Sequence, residues 1–108
     1  LSGGARSGLV GFVAGLARTT VRHNVTINNL LPGAFATDAQ RRHVDKLVQS
    51  TGESFEALWQ RRGAESPAGR FGEAEEIGAL CAFVCSAHAG YITGQSILID
   101  GGAYPGTF

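Results

Sequence analysis

Ser2 and Arg6 stand four residues apart at the head of a helical pattern, so they share one face. A hydroxyl beside a guanidinium can donate hydrogen bonds to a polar ligand. It is a poor proton-transfer pair. General acid–base work needs a group that titrates near the working pH. Arginine stays protonated up to a pKa of about 12 or more, and a serine hydroxyl is far less acidic than a phenol. A second reading is as good on the residues alone: Ser2 as a helix N-cap and Arg6 as a solvated surface charge.

The next candidate is Pro32-Gly33-Ala34-Phe35-Ala36-Thr37. It follows the apolar run Val25 to Leu31, which reads as a buried strand ended by Pro32-Gly33. Open α/β sheets bind ligands at the carboxyl ends of their strands. Thr37 can also cap a following helix, with Gln40 at the third helical position completing a capping box. Cys81, Cys85 and His88 fall on one helical face. Three metal ligands on one unbroken helix converge poorly, and both cysteines fit the apolar stripe. They read as reduced core thiols of a cytoplasmic protein, with no metal site. His23 and His43 have no nucleophilic or acidic partner in a recognised arrangement and receive no role.

The elements that hold these residues follow from periodicity. Ser7 to Val21 reads as a helix with Leu9, Phe12, Val13, Leu16 and Thr20 on its apolar face. Gly4, Gly8, Gly11 and Gly15 form a second stripe, which suits close approach of either a partner helix or the chain's own sheet. After Thr37 a helix runs to about Ser50, and a shorter one spans Phe55 to Arg62. The loop from Gly63 to Gly69 closes this excursion. Gly72-Glu73-Ala74-Glu75-Glu76 opens another helix, with Ile77, Leu80, Cys81, Val84 and Cys85 on its apolar side and His88 and Gly90 at its end. Ser96 to Asp100 is a second short buried strand, and Ala103 to Phe108 is loop.

This order predicts an α/β fold with a parallel sheet. Two strands, apolar on both faces, are marginal alone. The chain is expected to be part of a larger sheet and to associate through exposed edges. It begins at Leu1 and contains no methionine, which suits a piece of a longer protein. Its 108 residues carry nine basic and nine acidic side chains, so charge makes no case for nucleic acid or an anionic membrane as partner. No apolar run approaches the roughly 20 residues that cross a bilayer.

Asn28-Asn29-Leu30-Leu31-Pro32-Gly33 and Tyr91-Ile92-Thr93-Gly94-Gln95, continuing to Asp100-Gly101-Gly102, resemble the C-terminal part of short-chain dehydrogenases/reductases. The chain is similar in particular to 3-oxoacyl-carrier-protein reductase-like members. The resemblance implies a single partial Rossmann-like domain over residues 1–108, the trailing part of a doubly wound parallel sheet, with a helical lid at about 37–69. It implies NAD or NADP as cofactor in the intact parent, a small-molecule carbonyl or alcohol substrate, and hydride transfer between them. In that family a Tyr-x-x-x-Lys pair stands at the start of the helix that precedes these motifs; here Ser2 falls on the tyrosine and Arg6 on the lysine. Arg6 could still hold ribose hydroxyls, and Ser2 is a weak hydroxyl donor. Backbone groups of Pro32, Gly33, Ala34 and Phe35 would meet the nicotinamide amide, and Thr37 the amide or the pyrophosphate.

The resemblance also implies that Asn28 pins a neighbouring loop and that Arg70 with Gly72 to Glu76 is a helix-start signature. Phe55, Leu58 and Trp59 are either a lid surface or a local core. A homo-oligomer is implied through the glycine-striped helix and the C-terminal strand region. The family's dinucleotide glycine fingerprint and its upstream serine are not in this chain, so the chain alone is expected to be inactive. A non-catalytic binding or assembly module is the alternative.

Overall fold

The computed structural model describes residues 2–106. Its elements run α1 (Ser2–Thr20), a 3-10 turn (Val21–His23), β1 (Asn29–Pro32), α2 (Asp38–Thr51), α3 (Phe55–Gly63), α4 (Ala74–Val84), a second 3-10 turn (Ala87–Ala89) and β2 (Ser96–Ile99). The chain divides into two compact units, one of Leu1–Leu31 with Gly78–Leu98 and the other of Pro32–Ile77 with Ile99–Phe108.

β1 and β2 pair in one two-stranded sheet. The Asn29 N–H donates to Gln95 O at 2.8 Å, and four residues on the Gly33 N–H donates to Ile99 O at 3.0 Å. Equal steps in one direction along both strands are the parallel register, as the order of elements predicts. Every strand residue is half-buried or exposed.

In the first unit α1 begins at Ser2, earlier than the expected Ser7, and runs through Gly3 and Gly4. Its buried seam is Val13 and Ala17 rather than the whole expected face. Leu9, Phe12 and Leu16 are exposed, Phe12 at 66%. A Cβ at Gly4, Gly8, Gly11 or Gly15 would meet no atom within 4 Å, so the glycine stripe faces open space.

The expected strand from Val25 starts only at Asn29, because the backbone groups before it bond elsewhere. The Val25 N–H donates to Thr20 O and the Thr20 hydroxyl to Val25 O. The Ile27 N–H donates to Thr93 Oγ1 at 3.1 Å, and Ile27 O accepts from the Gly94 N–H at 2.7 Å. Asn28 does the pinning expected of it: its Nδ2 donates to Ile92 O at 3.0 Å and its Oδ1 accepts from the Gln95 N–H at 3.1 Å.

The core reading of Cys81 and Cys85 is corrected: both thiols are free and exposed. Ile77, Leu80 and Val84 take the half-buried positions of α4, and the cysteines fall one position round the helix from them. The helix also stops at Val84, before His88, and Gly90 has an ordinary helical φ of −62°.

In the second unit Thr37 caps α2, its hydroxyl accepting from the Gln40 N–H at 3.2 Å. The reciprocal half of the expected capping box is not made, because the Thr37 N–H is already bonded to Phe35 O at 2.8 Å. Ser54 caps α3 in the same way. Val44, Leu58 and Phe71 are buried. Phe55 stacks on Trp59 with centroids 5.5 Å apart, and Trp59 meets Phe71 at 4.4 Å. The excursion therefore encloses a local core, the second of the two readings of Phe55, Leu58 and Trp59.

Candidate functional site

Gly33 leaves β1 where no side chain fits. A Cβ there would lie 2.8 Å from both Cα and Cβ of Asp100, inside any tolerable contact. The two backbones can approach this closely only because residue 33 is glycine. Asp100 is itself held, its two carboxylate oxygens accepting from the Gly102 N–H at 3.0 Å and the Tyr104 N–H at 2.9 Å.

The loop beyond Gly33 is fastened at one further place. Phe35 and Gly72 form a parallel bridge. The Gly72 N–H donates to Ala34 O at 3.0 Å, and the Ala36 N–H donates to Gly72 O at 2.8 Å. Among the described residues the N–H groups of Ala34 and Phe35 have no backbone partner. Two adjacent unspent donors on a fastened loop are a ready receptor for a carbonyl oxygen.

Pro32, Gly33, Ala34, Phe35 and Thr37 line one open cleft of about 330 Å³, together with Gln40, Ala74 and Ile77. Thus every residue expected here to contact cofactor, apart from Arg6, falls in a single cleft of the second unit. Its walls are mostly apolar, with polarity supplied by the backbone, the Thr37 hydroxyl and Gln40. An apolar slot with a few fixed donors suits a flat heteroaromatic amide.

Ser2 and Arg6 belong to the first unit. Both lie in the first turns of α1, and Arg6 is exposed. No ion pair among the described residues involves Arg6. The side chain of Ser2 lies outside the described residues, as do Thr107 and Phe108 of the expected terminal loop.

The segment Arg70-Phe71-Gly72 carries more of the site than its sequence suggests. Arg70 grips Glu76 through two bonds, Nη1 to Oε2 at 2.9 Å and Nη2 to Oε1 at 2.8 Å. Nη1 also donates to Phe71 O at 2.9 Å. Glu76 Oε2 accepts from the Glu73 N–H at 2.7 Å, which closes the first turn of α4. The Arg70 guanidinium, helped by that backbone N–H, holds the Glu76 carboxyl down to about 2. These groups border a second, smaller hollow of about 100 Å³ that also touches Ala34 and Phe35. Gly72 and Phe71 could have been suspected from the bare glycine after an aromatic residue. Nothing local in the sequence pairs them with a loop thirty-odd residues upstream.

No helix among the described residues is long and apolar enough to cross a membrane.

Residues 1–104 match the family model described as enoyl-(acyl carrier protein) reductase. The chain is 38% identical over 102 residues to the 3-oxoacyl-[acyl-carrier-protein] reductase FabG of Salmonella typhimurium, covering 93% of this chain and 36% of that protein. It is 41% identical over 81 residues to the NADPH-dependent reductase BacG of Bacillus subtilis, covering 75% of this chain and 31% of that protein. Among solved structures it resembles YwfH, an NADPH-dependent reductase involved in bacilysin biosynthesis, with a TM-score of 0.79 at 33% identity over 93% of this chain and 38% of that one. It also resembles the L-sorbose reductase of Gluconobacter frateurii complexed with NADPH and L-sorbose, with a TM-score of 0.82 at 28% identity over 90% of this chain and 37% of that one. The chain thus spans a little over a third of the length of the relatives it matches. Matched almost end to end by a family model, and folded with the parallel α/β pairing that its motifs require, the chain belongs to the short-chain dehydrogenase/reductase family.

Proposed function

We propose that this chain is the C-terminal portion of an NAD(P)-dependent oxidoreductase that exchanges a hydride with a carbonyl or alcohol substrate. The observation that carries the reading is the cleft of Pro32 to Thr37, with the Ala34 and Phe35 N–H groups unspent and Gly33 seated on Asp100. That donor set fits the carbonyl of a nicotinamide amide. The nicotinamide supplies the hydride donor or acceptor when bound. The chain's own residues bind and orient: the Ala34 and Phe35 N–H groups take the amide, the Thr37 hydroxyl a polar edge, and Arg6 the ribose hydroxyls. Arg6 supplies positive charge and hydrogen-bond donors.

NADPH is the form named for BacG and YwfH, which makes it the first probe. The likeness to FabG makes a 3-oxoacyl thioester the first substrate to offer. The reading places the protein in the cytoplasm, in keeping with two free thiols. It also takes the open glycine stripe of α1 and the C-terminal strand region as surfaces for a second copy.

Titration of the chain with NADPH, followed by nicotinamide fluorescence, is the test. Arg6→Ala should weaken binding without altering stability, since Arg6 is exposed. Unchanged affinity would remove the ribose role. Turnover of NADPH by these 108 residues would refute the inactive-portion reading.

A second reading is a non-catalytic binding or assembly module. Ser2 and Arg6, standing where the family carries tyrosine and lysine, favour it. NADPH binding by the longer protein with no carbonyl reduction would select it.

A further inference from the structure

The loop that offers the Ala34 and Phe35 donors is anchored on Gly72, and Gly72 is anchored in turn by the aromatic core of the excursion. Phe71, 5% exposed, lies against Trp59. Trp59 is also stacked with Phe55, and the Arg41 guanidinium lies over its ring at 5.5 Å. Arg41 reaches back to Ala36 O at 3.5 Å. The contacts thus form a closed circuit: Phe35 and Ala36 to Gly72, Gly72 to Phe71, Phe71 to Trp59, Trp59 to Arg41, and Arg41 to Ala36. All of these residues belong to the second unit.

A loop fastened by two hydrogen bonds is weak by itself. A net contribution of about 1 kcal/mol per bond would favour the fastened loop only about thirtyfold, open a few per cent of the time. Aromatic pairing adds roughly 0.5–1.5 kcal/mol beyond burial, and a cation over a tryptophan ring about 0.5–1 at an exposed site. These contributions act on Phe71 and, through one peptide unit, on Gly72. We infer that Trp59 is a positioning residue for the nucleotide-contact loop: it holds Phe71 and Gly72 so that the 34–36 loop presents its two donors, and it touches no ligand itself. The nucleotide role of that loop rests on the function proposed above; the mechanical coupling does not.

Amide hydrogen exchange on the full chain separates the two. Trp59→Leu should speed exchange at the Ala36 and Gly72 N–H groups about tenfold or more. Exchange at the Gly33 N–H, bonded to Ile99 instead, should hold, and Trp59→Phe should restore protection. If Trp59→Leu does not fold, Phe55→Leu carries the same expectation in milder form. Protection at Ala36 and Gly72 that survives in a folded variant overturns the coupling, as does an equal loss at Gly33. An NADPH titration of the same proteins forms the second arm. Weaker binding by Trp59→Leu with recovery in Trp59→Phe supports the positioning role. A wild-type chain that binds no NADPH defeats the nucleotide reading, while the exchange result still decides the coupling.

Discussion

The ring of Phe35 lies flat against the backbone of Gly72, so close that a Cβ at residue 72 would sit 2.6 Å from Phe35 Cε1. Gly72→Ala must push the Phe35 ring away beside the bridge that fastens the cleft. Overpacking of this kind costs about 1–3 kcal/mol. Chemical denaturation should show that loss, and NADPH binding should weaken with it. Gly33→Ala should be worse, because the atoms its Cβ would strike at 2.8 Å include the Asp100 backbone, which cannot swing aside. A Gly72→Ala protein as stable as wild type would show that the ring relaxes freely.

Thr37 has one job visible in the fold and a second proposed for it. Its hydroxyl caps α2. Thr37→Ala should cost about 1 kcal/mol in denaturant unfolding for the lost cap. It should also weaken NADPH binding, whereas Thr37→Ser should keep both. Normal stability in the alanine variant would remove the cap; normal affinity would remove the ligand contact.

Glu76 makes stability depend on pH in a definite direction. Its folded carboxyl titrates near 2, against an ordinary value of 4.5. The folded value is the lower one, so the contribution is whole above the ordinary value and fades as pH falls through the folded one. Thermal unfolding of wild type and Glu76→Gln should differ most at neutral pH and converge toward pH 2. The pair is exposed, so salt should narrow the gap. Curves that stay parallel down to pH 2 would contradict the assignment. Glu53, lowered by its hydrogen bonds from Arg61, adds a smaller dependence of the same sign.

The glycine stripe of α1 is open, and beside it Leu9 and Phe12 are 58% and 66% exposed. If a second copy seats there, Gly11→Leu should lower the mass seen by light scattering. The mass of wild type retained by Gly11→Leu would place any interface elsewhere.

Much of this was legible beforehand because it depends on near neighbours. Proline and glycine after an apolar run stop a strand, and a threonine three residues before a glutamine caps a helix. The Asn28 contacts were also foreseeable, since a strand asparagine needs partners and the family resemblance named a loop for it. The strand start at Asn29 was not. Whether Val25 to Asn28 joins a ladder depends on Thr20 and Thr93, one five residues before and the other sixty-eight after Val25. The cysteines were misplaced because an apolar stripe shows which residues share a side, not which of them become covered.

The order of elements and the parallel pairing therefore belong to the sequence, since local propensity and that order suffice for them, while the segment Pro32 to Thr37 was named by the family resemblance. The bridge from Phe35 to Gly72 and the seating of Trp59 on Phe71 belong to the tertiary structure. Each joins groups through side-chain packing or a backbone approach that no local pattern encodes, and those joints hold the Ala34 and Phe35 donors in place.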